Sequence, residues 1–301
     1  MTLTQLKYAV AVAQAGSLNE AARALFISQP ALSVAIKELE EEIGVCLFQR
    51  SNRGITLTGE GEEFIGYARQ MVEQYTLIES RYVRREKVRK RFSVSMQHYT
   101  FAVSAFVELV KQFGMDEYEF AVYETRTSEV IENVRNGKSE IGILYLNEFN
   151  QDVLTRLFSR DELEFYQLLQ CPVSVYMARS HPLADRQELS LADLEEYPCL
   201  SFEQGSDHTF YFAEEVLSTH DYKRLIRASD RATLLNLMVG LNGYTLCSGL
   251  ICEELNGSDY CAVKLAGEET MSIGYLVRKG VTLSTLGRNY LEELKKFQEQ
   301  V

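Results

Sequence analysis

Small polar side chains at the predicted start of a helix near the N-terminus have the chemistry to read the edges of DNA bases. Ser28 is typical of an N-cap, and Pro30 fits the first helical turn, where its missing N–H costs nothing. The apolar residues that recur at helical spacing, and so face inward, are Leu32, Ile36 and Leu39. Gln29 and Ser33 must then point outward, where an amide or a hydroxyl can form hydrogen bonds with bases in the major groove. We predict DNA contacts from seven residues of this helix: Ser28, Gln29, Pro30, Ala31, Ser33, Val34 and Lys37.

A second helix directly before this one, joined to it by a tight turn, is the arrangement that presents a helix to the major groove. Ser17 and Glu20 have the capping-box spacing that begins the earlier helix, and Gly44 ends the later one. Two short strands are predicted next, as a wing whose arginines, Arg50 and Arg53, contact phosphate or the minor groove. The alternative for both arginines is a solvated turn.

A long helix is predicted after the wing, with Thr58 as its N-cap and its end near Arg91. Its apolar residues are spaced alternately by four and three positions, and they are Phe64, Ala68, Met71, Tyr75, Ile78 and Tyr82. Such a heptad seam packs along another helix, which belongs either to a second subunit or to the chain's own second domain. For a dimer, the predicted contact residues are Phe64, Met71, Tyr75, Ile78 and Tyr82.

The remaining two thirds of the chain alternates between strand and helix patterns. The predicted strands are 92–97, 119–123, 141–146, 173–177, 199–202, 244–247 and 271–277. The predicted helices are 101–113, 128–136, 210–218, 233–239 and 286–298. This alternation predicts an α/β fold with mostly parallel sheets and crossover helices.

Three predicted turns lie where a strand ends and a helix begins, which is where ligands gather in open α/β sheets. The candidate ligand residues in these turns are Gln97, His98, Thr100, Arg126, Thr127, Ser128, Phe202 and Gln204. Arg126 suits a carboxylate, because its guanidinium offers paired donors, although a solvated arginine is the alternative. Thr127 and Ser128 could equally be ordinary helix caps.

The formal charge of −12 is concentrated in the second part of the chain. Residues 1–91 contain 13 Lys and Arg against 11 Asp and Glu, whereas residues 92–301 contain 18 against 32. Affinity for nucleic acid depends on local positive charge placed against phosphates, so the acidic total does not argue against DNA binding.

Several classes of protein are disfavoured by the sequence. No nucleophile–base pairing and no glycine-rich phosphate loop is found, so an enzyme is not expected. The six cysteines form no C-x-x-C pair and the four histidines are scattered, so neither a metal nor a cofactor is expected. The uncharged stretch 232–252 contains glycines and asparagines, which favours a buried helix and strand over a membrane span. Because Met1 leads straight into an amphipathic helix rather than a leader, we expect a cytoplasmic protein.

Together these motifs resemble the DNA-binding domain of LysR-type transcriptional regulators, and the rest of the chain resembles their regulatory domain. The matching residues are Leu6, Gly16, Ser17, Ala21, Ala22, Leu25, Ser28, Gln29, Pro30, Ala31, Leu32, Ser33, Ile36, Leu39, Glu40, Gly44, Leu47, Phe48, Arg50, Leu57, Thr58 and Gly61. Val34 departs from the pattern, since many members place an arginine there. This departure puts in doubt whether the chain shares the family's usual target-sequence preference, but it does not affect the expected mode of docking on DNA.

The resemblance implies an α/β chain with an all-α-rich N-terminal part. Residues 1–58 are expected to form a winged helix-turn-helix, and residues 59–91 a linker and dimerisation helix with a hinge. Residues 92–301 are expected to form an effector-binding domain like periplasmic binding proteins, with two lobes joined by two crossing strands and a ligand cleft between them. Lobe I is expected over residues 92–162 and 267–301, and lobe II over residues 163–266.

The resemblance also implies a transcriptional regulator that binds double-stranded promoter DNA as a homodimer or homotetramer, with RNA polymerase as a further partner. Phrases such as Gln97-His98-Tyr99 are similar to a low-GC Gram-positive subgroup that controls methionine and cysteine metabolism. That similarity implies a small, anionic amino-acid metabolite as the effector. Two alternatives stay open: a thiol redox-sensing regulator of the same fold, and a small-molecule enzyme or solute-binding protein.

Overall fold

The computed structural model describes residues 1–51, 54–83, 89–112, 117–205 and 210–300. The chain divides into two units, Met1–Arg89 and Lys90–Val301. Each unit has its own cluster of buried apolar side chains.

Helix capping sets the start of every helix in the first unit. The helices are α1 (Leu3–Ala15), α2 (Leu18–Ala24), α3 (Gln29–Ile43) and α4 (Gly59–Ile78). Each follows a Ser or Thr whose side chain accepts a hydrogen bond from the backbone N–H three residues later. Between α3 and α4, strands β1 (Phe48–Ser51) and β2 (Gly54–Leu57) pair antiparallel. The predicted winged helix-turn-helix is confirmed.

The second unit alternates strands and helices, as predicted. Its elements in chain order are β3 (Lys90–Met96), α5 (Thr100–Lys111), β4 (Tyr118–Glu124), α6 (Thr127–Arg135), β5 (Ile141–Leu146), α7 (Gln151–Arg160), β6 (Leu163–Pro172), β7 (Ser174–Ala178), β8 (Glu188–Leu189), β9 (Cys199–Phe202), β10 (Leu225–Ala228), α8 (Arg231–Leu241), β11 (Tyr244–Cys247), α9 (Glu253–Asn256), β12 (Tyr260–Leu265), β13 (Thr270–Arg278) and α10 (Thr285–Lys295).

Two sheets define two lobes in this unit. Lobe I contains the five-stranded sheet β4-β3-β5-β13-β6, and lobe II the six-stranded sheet β10-β9-β11-β7-β12-β8. β3 runs parallel to β4 and β5, and β9 to β10 and β11, whereas β13 and β7 are antiparallel to both of their neighbours. β12 also runs parallel to β8, so five of the nine strand pairings described in this unit are parallel and four are antiparallel, and the predicted parallel pairings are a majority but do not fill either sheet. Both sheets are mixed, because the strands that carry the chain into and out of lobe II pair antiparallel.

Two parts of the sequence prediction need correction. The prediction omits α7, α9, β6, β8, β10 and β12, and β6 pairs with β13 over its whole length. The lobe I sheet therefore extends to the end of β6, beyond the predicted boundary at residue 162. The helix predicted over 210–218 is wrong, since only a 3-10 turn at Phe210–Phe212 forms there and Leu217 has a φ of 57°. Glu214 and Glu215 turn inward to accept hydrogen bonds, and these tertiary contacts override the helical pattern.

The topology gathers polar groups at the ends of parallel strands. Helices α5, α6 and α8 each begin a few residues after β3, β4 and β10 end. Because the first N–H groups of a helix lack partners within the helix, these connections attract polar side chains and ligands. The three connections are residues 97–99, 125–126 and 229–230.

Gly142 of β5 packs against α6 and offers a test of this core. A methyl group at Gly142 would lie 2.8 Å from Val134 Cγ2 and 2.9 Å from Val130 Cγ1. We expect Gly142→Ala to destabilise the protein by about 1–3 kcal/mol, because the two buried valines would have to move. Gly240 of α8 is the matched control, since a methyl there meets no atom within 4 Å. Alanine is favoured over glycine in a helix by about 0.5–1 kcal/mol.

Thermal unfolding of the two variants should therefore shift the midpoint in opposite directions. A Gly142→Ala midpoint equal to or above that of the wild type would contradict the packing of α6 on β5.

Candidate functional site

Helix α3 presents to solvent the residues predicted to contact DNA. The Ser28 hydroxyl accepts a hydrogen bond from the Ala31 N–H at 3.3 Å, which fixes the first turn. The buried face consists of Leu32, Ile36 and Leu39. All seven predicted residues are exposed or half-buried, and Val34 is 56% exposed. The Lys37 ammonium lies 3.4 Å from a Glu41 oxygen on this surface, and such exposed ion pairs are weak enough for a phosphate to replace.

The turn between α2 and α3 contains an exposed aromatic residue that the sequence analysis missed. Phe26 has a φ of 56° and is 96% exposed. Its N–H donates to the Arg23 carbonyl, and the next N–H, of Ile27, donates to the Ala22 carbonyl. The left-handed residue thus closes the turn. No sequence signal marks it, because an aromatic residue in an apolar run is typical of a core.

The wing is described only in part. β1 and β2 pair with Phe48 opposite Leu57 and with Arg50 opposite Ile55. Arg53 lies outside the described residues. The contacts predicted for Arg50 and Arg53 therefore stay predictions.

The heptad seam predicted on α4 divides into two parts. Phe64 and Ala68 pack against Leu6 and Val10 of α1, within the first unit. Phe64 thus packs within its own unit, and the contact of its half-buried side chain with a second subunit stays a prediction. Spacing alone could not show this, because a heptad pattern does not specify its partner. The remaining residues form an exposed stripe of Met71, Tyr75, Ile78 and Tyr82, at 53, 40, 57 and 69% exposure. Tyr82 lies in the π-helical turn Glu79–Val83 that follows α4, so α4 ends before the predicted end near Arg91, where β3 has already begun.

Gln97, just after β3, is the buried centre of a hydrogen-bond network in lobe I. Its amide nitrogen donates to Thr127 Oγ1 at 2.6 Å, while its oxygen accepts from the Tyr99 hydroxyl at 2.9 Å and the Tyr145 N–H at 3.1 Å. Gln97 and Thr127 are each 1% exposed. Both are predicted effector ligands, but these contacts hold the end of β3 to the start of α6. Thr127 is not a helix cap either, since Arg126 occupies the N-cap position of α6.

His98 reaches from lobe I to lobe II. Its backbone N–H and its Nδ1–H donate to the same oxygen of Glu214, at 3.0 and 2.8 Å. Its ring stacks on Phe202 with centroids 3.6 Å apart and an angle of 3° between the planes. The other Glu214 oxygen accepts from the Gln204 amide at 2.8 Å. His98 thus forms one polar bridge between the lobes, with an aromatic contact beside it.

A second bridge forms at the first residue of α8. The Arg231 guanidinium pairs with the Glu124 carboxylate at the end of β4 and donates to Thr100 Oγ1 at 2.7 Å. Thr100 Oγ1 also accepts from the Asn256 amide at 3.0 Å. The side chains of Arg231 and Glu124 are only 23 and 26% exposed, so water screens this pair less than a surface pair. The sequence analysis missed both residues, which lie 107 positions apart in the chain.

Arg126, predicted to bind an anionic effector, is paired within the protein. Its guanidinium bonds the Glu203 carboxylate, and its Nε–H donates to the Glu203 backbone carbonyl at 3.1 Å. The neighbouring Thr127 N–H donates to the Gln204 side-chain oxygen at 3.1 Å. Ser128 lies half-buried in the same helical turn. These contacts tie the start of α6 to the segment after β9.

A cavity of about 80 Å³ lies where the lobes meet, with residues of both lobes in its wall. Three predicted effector residues line it, and these are His98, Thr100 and Phe202. The other described candidates lie outside its wall, namely Gln97, Arg126, Thr127, Ser128 and Gln204. Apolar wall residues include Leu234, Leu235, Leu250 and Ile251. Polar wall residues that the sequence analysis missed are Glu214, Glu215, Arg231, Thr245, Ser248 and Asn256.

All six cysteines are free: Cys171 and Cys199 are buried, Cys247, Cys252 and Cys261 are half-buried, and Cys46 is exposed. Burial raises the pKa of the Cys171 and Cys199 thiols to about 12 and that of Cys247 to about 11. A thiol with such a pKa is almost entirely protonated at neutral pH and reacts slowly with oxidants. The geometry therefore does not favour these three thiols as a redox switch.

In the part of the chain that the structure describes, no group of three His, Cys, Asp or Glu side chains is placed to hold a metal ion. The same residues include no helix with the length and apolar character needed to cross a membrane.

Both units match models of known families. Residues 3–62 match the model described as "Bacterial regulatory helix-turn-helix protein, lysR family", and residues 88–298 match the "LysR substrate binding domain". An uncharacterized HTH-type transcriptional regulator of Bacillus subtilis, YvbU, is 26% identical over 280 residues, which are 88% of this chain and 91% of that protein. The HTH-type transcriptional regulator CysL of the same organism is 29% identical over 224 residues, 71% of this chain and 69% of CysL.

Solved structures show the same fold. Full-length OxyR C199D from Pseudomonas aeruginosa superposes with a TM-score of 0.64 at 20% identity, covering 98% of this chain and 95% of that one. Full-length CbnR in complex with its target DNA gives a TM-score of 0.54 at 21% identity, covering 98% of this chain and 99% of that one.

We expect the exposed stripe of α4 to hold subunits together. Met71→Asp with Ile78→Asp would put charges into an apolar contact, and unpaired buried charges are strongly disfavoured. Sedimentation at micromolar concentration should show a dimer or tetramer for the wild type and a smaller species for the double variant. Val281→Asp, at a residue 45% exposed in the second unit, is the control and should not change the assembly. A monomeric wild type would rule out this interface.

Proposed function

The chain belongs to the LysR family of bacterial DNA-binding transcriptional regulators, and we propose that a small molecule between the lobes of its second unit controls its binding to promoter DNA. It is a regulator and not an enzyme. The observation that carries the proposal is the cavity, whose wall both lobes share and which includes residues of both bridges. A ligand that contacts both lobes favours one arrangement of them, by as much as it binds that arrangement more tightly.

DNA recognition is assigned to the outward face of α3. We propose that Gln29 and Ser33 contact base edges, and that Lys37 contacts phosphate, because their side chains lie on the surface opposite the buried face. The other proposed contacts are Ser28, Pro30, Ala31, Val34, Arg50 and Arg53. The slight excess of basic residues in the first part of the chain supports this placement.

The proposed effector is a small amino-acid metabolite from methionine or cysteine metabolism. The sequence segments that resemble the low-GC Gram-positive subgroup controlling methionine and cysteine metabolism support this class of effector. A carboxylate in the cavity would find donors in the Arg231 guanidinium and the Asn256 amide, both of which now donate to Thr100 Oγ1. In this proposal His98, Thr100 and Phe202 contact the effector. Gln97, Arg126, Thr127, Ser128 and Gln204 surround the site and position its walls.

The assembly follows from the exposed stripe of α4. We propose a homodimer or homotetramer that binds promoter DNA in the bacterial cytoplasm, where RNA polymerase is a further partner. Two subunits present two copies of α3, which suits a site with two half-sites.

Alanine substitutions on α3 test the DNA contacts. Gln29→Ala and Ser33→Ala should each weaken binding to an operator that the wild-type protein selects from random DNA. Loss of a contact with a base edge costs roughly 1–3 kcal/mol of discrimination. Gln14→Ala, the same substitution at an exposed position of α1, is the control. Fluorescence anisotropy at fixed salt would measure the affinities, and wild-type affinity in both α3 variants would show that another surface reads the DNA.

A further inference from the structure

Building on the proposed function, we infer that the effector carries a protonated amine that lies against Glu214 and Glu215, two buried carboxyl groups in the wall of the cavity. The effector is then an amino-acid-like molecule with an ammonium group, and not an anion alone.

In the wall of the cavity, the cationic side chain has an ion-pair partner, whereas the two acidic side chains have none among the Lys and Arg residues described. Arg231 is neutralised by Glu124. Glu214 and Glu215 are adjacent in the chain and are each 7% exposed. Within the described residues, no Lys or Arg forms an ion pair with either of them, and the charged contact that Glu214 makes is with His98 Nδ1. Adjacent buried acids without a cation are unfavourable, so a positively charged ligand group would stabilise this part of the wall.

The Glu215 carboxyl group is held in place by lobe II. It accepts hydrogen bonds from the Ser201 hydroxyl and the Phe202 N–H, both at 2.9 Å. Burial, together with the neighbouring Glu214 carboxylate, raises the pKa of Glu215 to about 8. At neutral pH Glu215 therefore keeps a proton. When an ammonium group binds beside it, the positive charge favours the carboxylate, and the proton leaves to the solvent.

In the described part of the chain, Glu215 has no ion pair with a Lys or Arg, and Arg231 in the same wall is paired with Glu124. The titratable groups that act on it or respond to it are Glu214, Tyr99, Tyr145, Cys199 and Tyr222. Burial raises the pKa of each tyrosine and of the thiol, so these groups are neutral at neutral pH. The His98 ring bonds Glu214, the other acid of the pair.

A hydroxyl in the same wall points independently to a polar ligand. Thr245 is 6% exposed, and its Oγ1 has no hydrogen-bond partner within the described residues. A buried hydroxyl is nearly always hydrogen-bonded in a native structure, so its partner is expected from a bound molecule or water. Leu234 and Leu235 of α8 line the cavity as well and suit the apolar part of a small amino acid.

Matched compounds separate the amine from the carboxylate. Thermal unfolding of the full-length protein is measured with homocysteine, O-acetylserine and each common amino acid other than lysine and arginine, which have a second cation, and with the Nα-acetyl derivative of each. We expect at least one free amine to raise the midpoint and its N-acetyl derivative, which cannot carry the charge, to have no effect.

Glu215→Gln connects that result to the site. The amide oxygen of glutamine can still accept from the Phe202 N–H, and its NH2 group can donate to the Ser201 hydroxyl oxygen, so the midpoint without ligand should change little. Calorimetry should show at least tenfold weaker binding of the stabilising amine. Glu196→Gln, at a side chain 85% exposed, is the matched control and should bind as the wild type does.

Proton release gives a second readout. Titrations at pH 7, in two buffers with different ionisation enthalpies, count the protons that leave on binding. We expect about one proton per amine bound by the wild type and none for Glu215→Gln, because only the acid can lose a proton on binding.

Three results would overturn the amine site: a stabilising N-acetyl compound, an amine that binds Glu215→Gln as tightly as the wild type, or no stabilising amine at all.

Failure of the proposed function would give different results. An amine that binds as expected but leaves operator affinity unchanged would contradict the control of promoter binding while supporting the amine site. An N-acetyl compound that binds and changes operator affinity would support that control and overturn the amine site.

Discussion

The second unit depends on the pairing of polar groups, withdrawn from water, where its two lobes meet. His98 with Glu214 and Arg231 with Glu124 each join a residue of lobe I to one of lobe II. Removing one partner leaves the other polar group without its hydrogen bond in a partly buried place, so each pair favours the lobes in contact. For the same reason, the arrangement of the two lobes is sensitive to what binds in the cavity at this boundary. A ligand that competes with a pair, or that neutralises an unpaired acid, changes the stability of the whole arrangement.

The helices of the first unit could be predicted because local interactions set where they begin. The lobe II residues that line the cavity could not, because their partners lie far away in the chain. Ser28 lies only three residues from the N–H that it accepts from, so the start of α3 can be predicted from the sequence. The turn between β3 and α5, which contains His98 and is followed by Thr100, could also be predicted from local sequence patterns. Glu214 could not, because its partner lies 116 positions away and the surrounding residues have a helical pattern. The packing of Phe64 against α1 was not predictable either, because a heptad pattern fits a contact with α1 as well as one with another subunit.

Coupling between the lobes and DNA must act in both directions. If a ligand between the lobes changes the affinity for an operator, then the operator changes the lobe arrangement by the same free energy. This reciprocity does not require the effector to be known. It also separates a regulator from a protein that binds DNA and a metabolite independently.

Amide hydrogen exchange at His98 and Thr127 tests this coupling most directly. The N–H of His98 donates to Glu214, and that of Thr127 donates to Gln204, so both amides lose their acceptors when the lobes separate. We expect operator DNA, but not unrelated DNA, to change the exchange rates of both amides while those of β5 stay constant. Equal rates at His98 and Thr127 with and without the operator would contradict the claim that the lobe arrangement controls DNA binding.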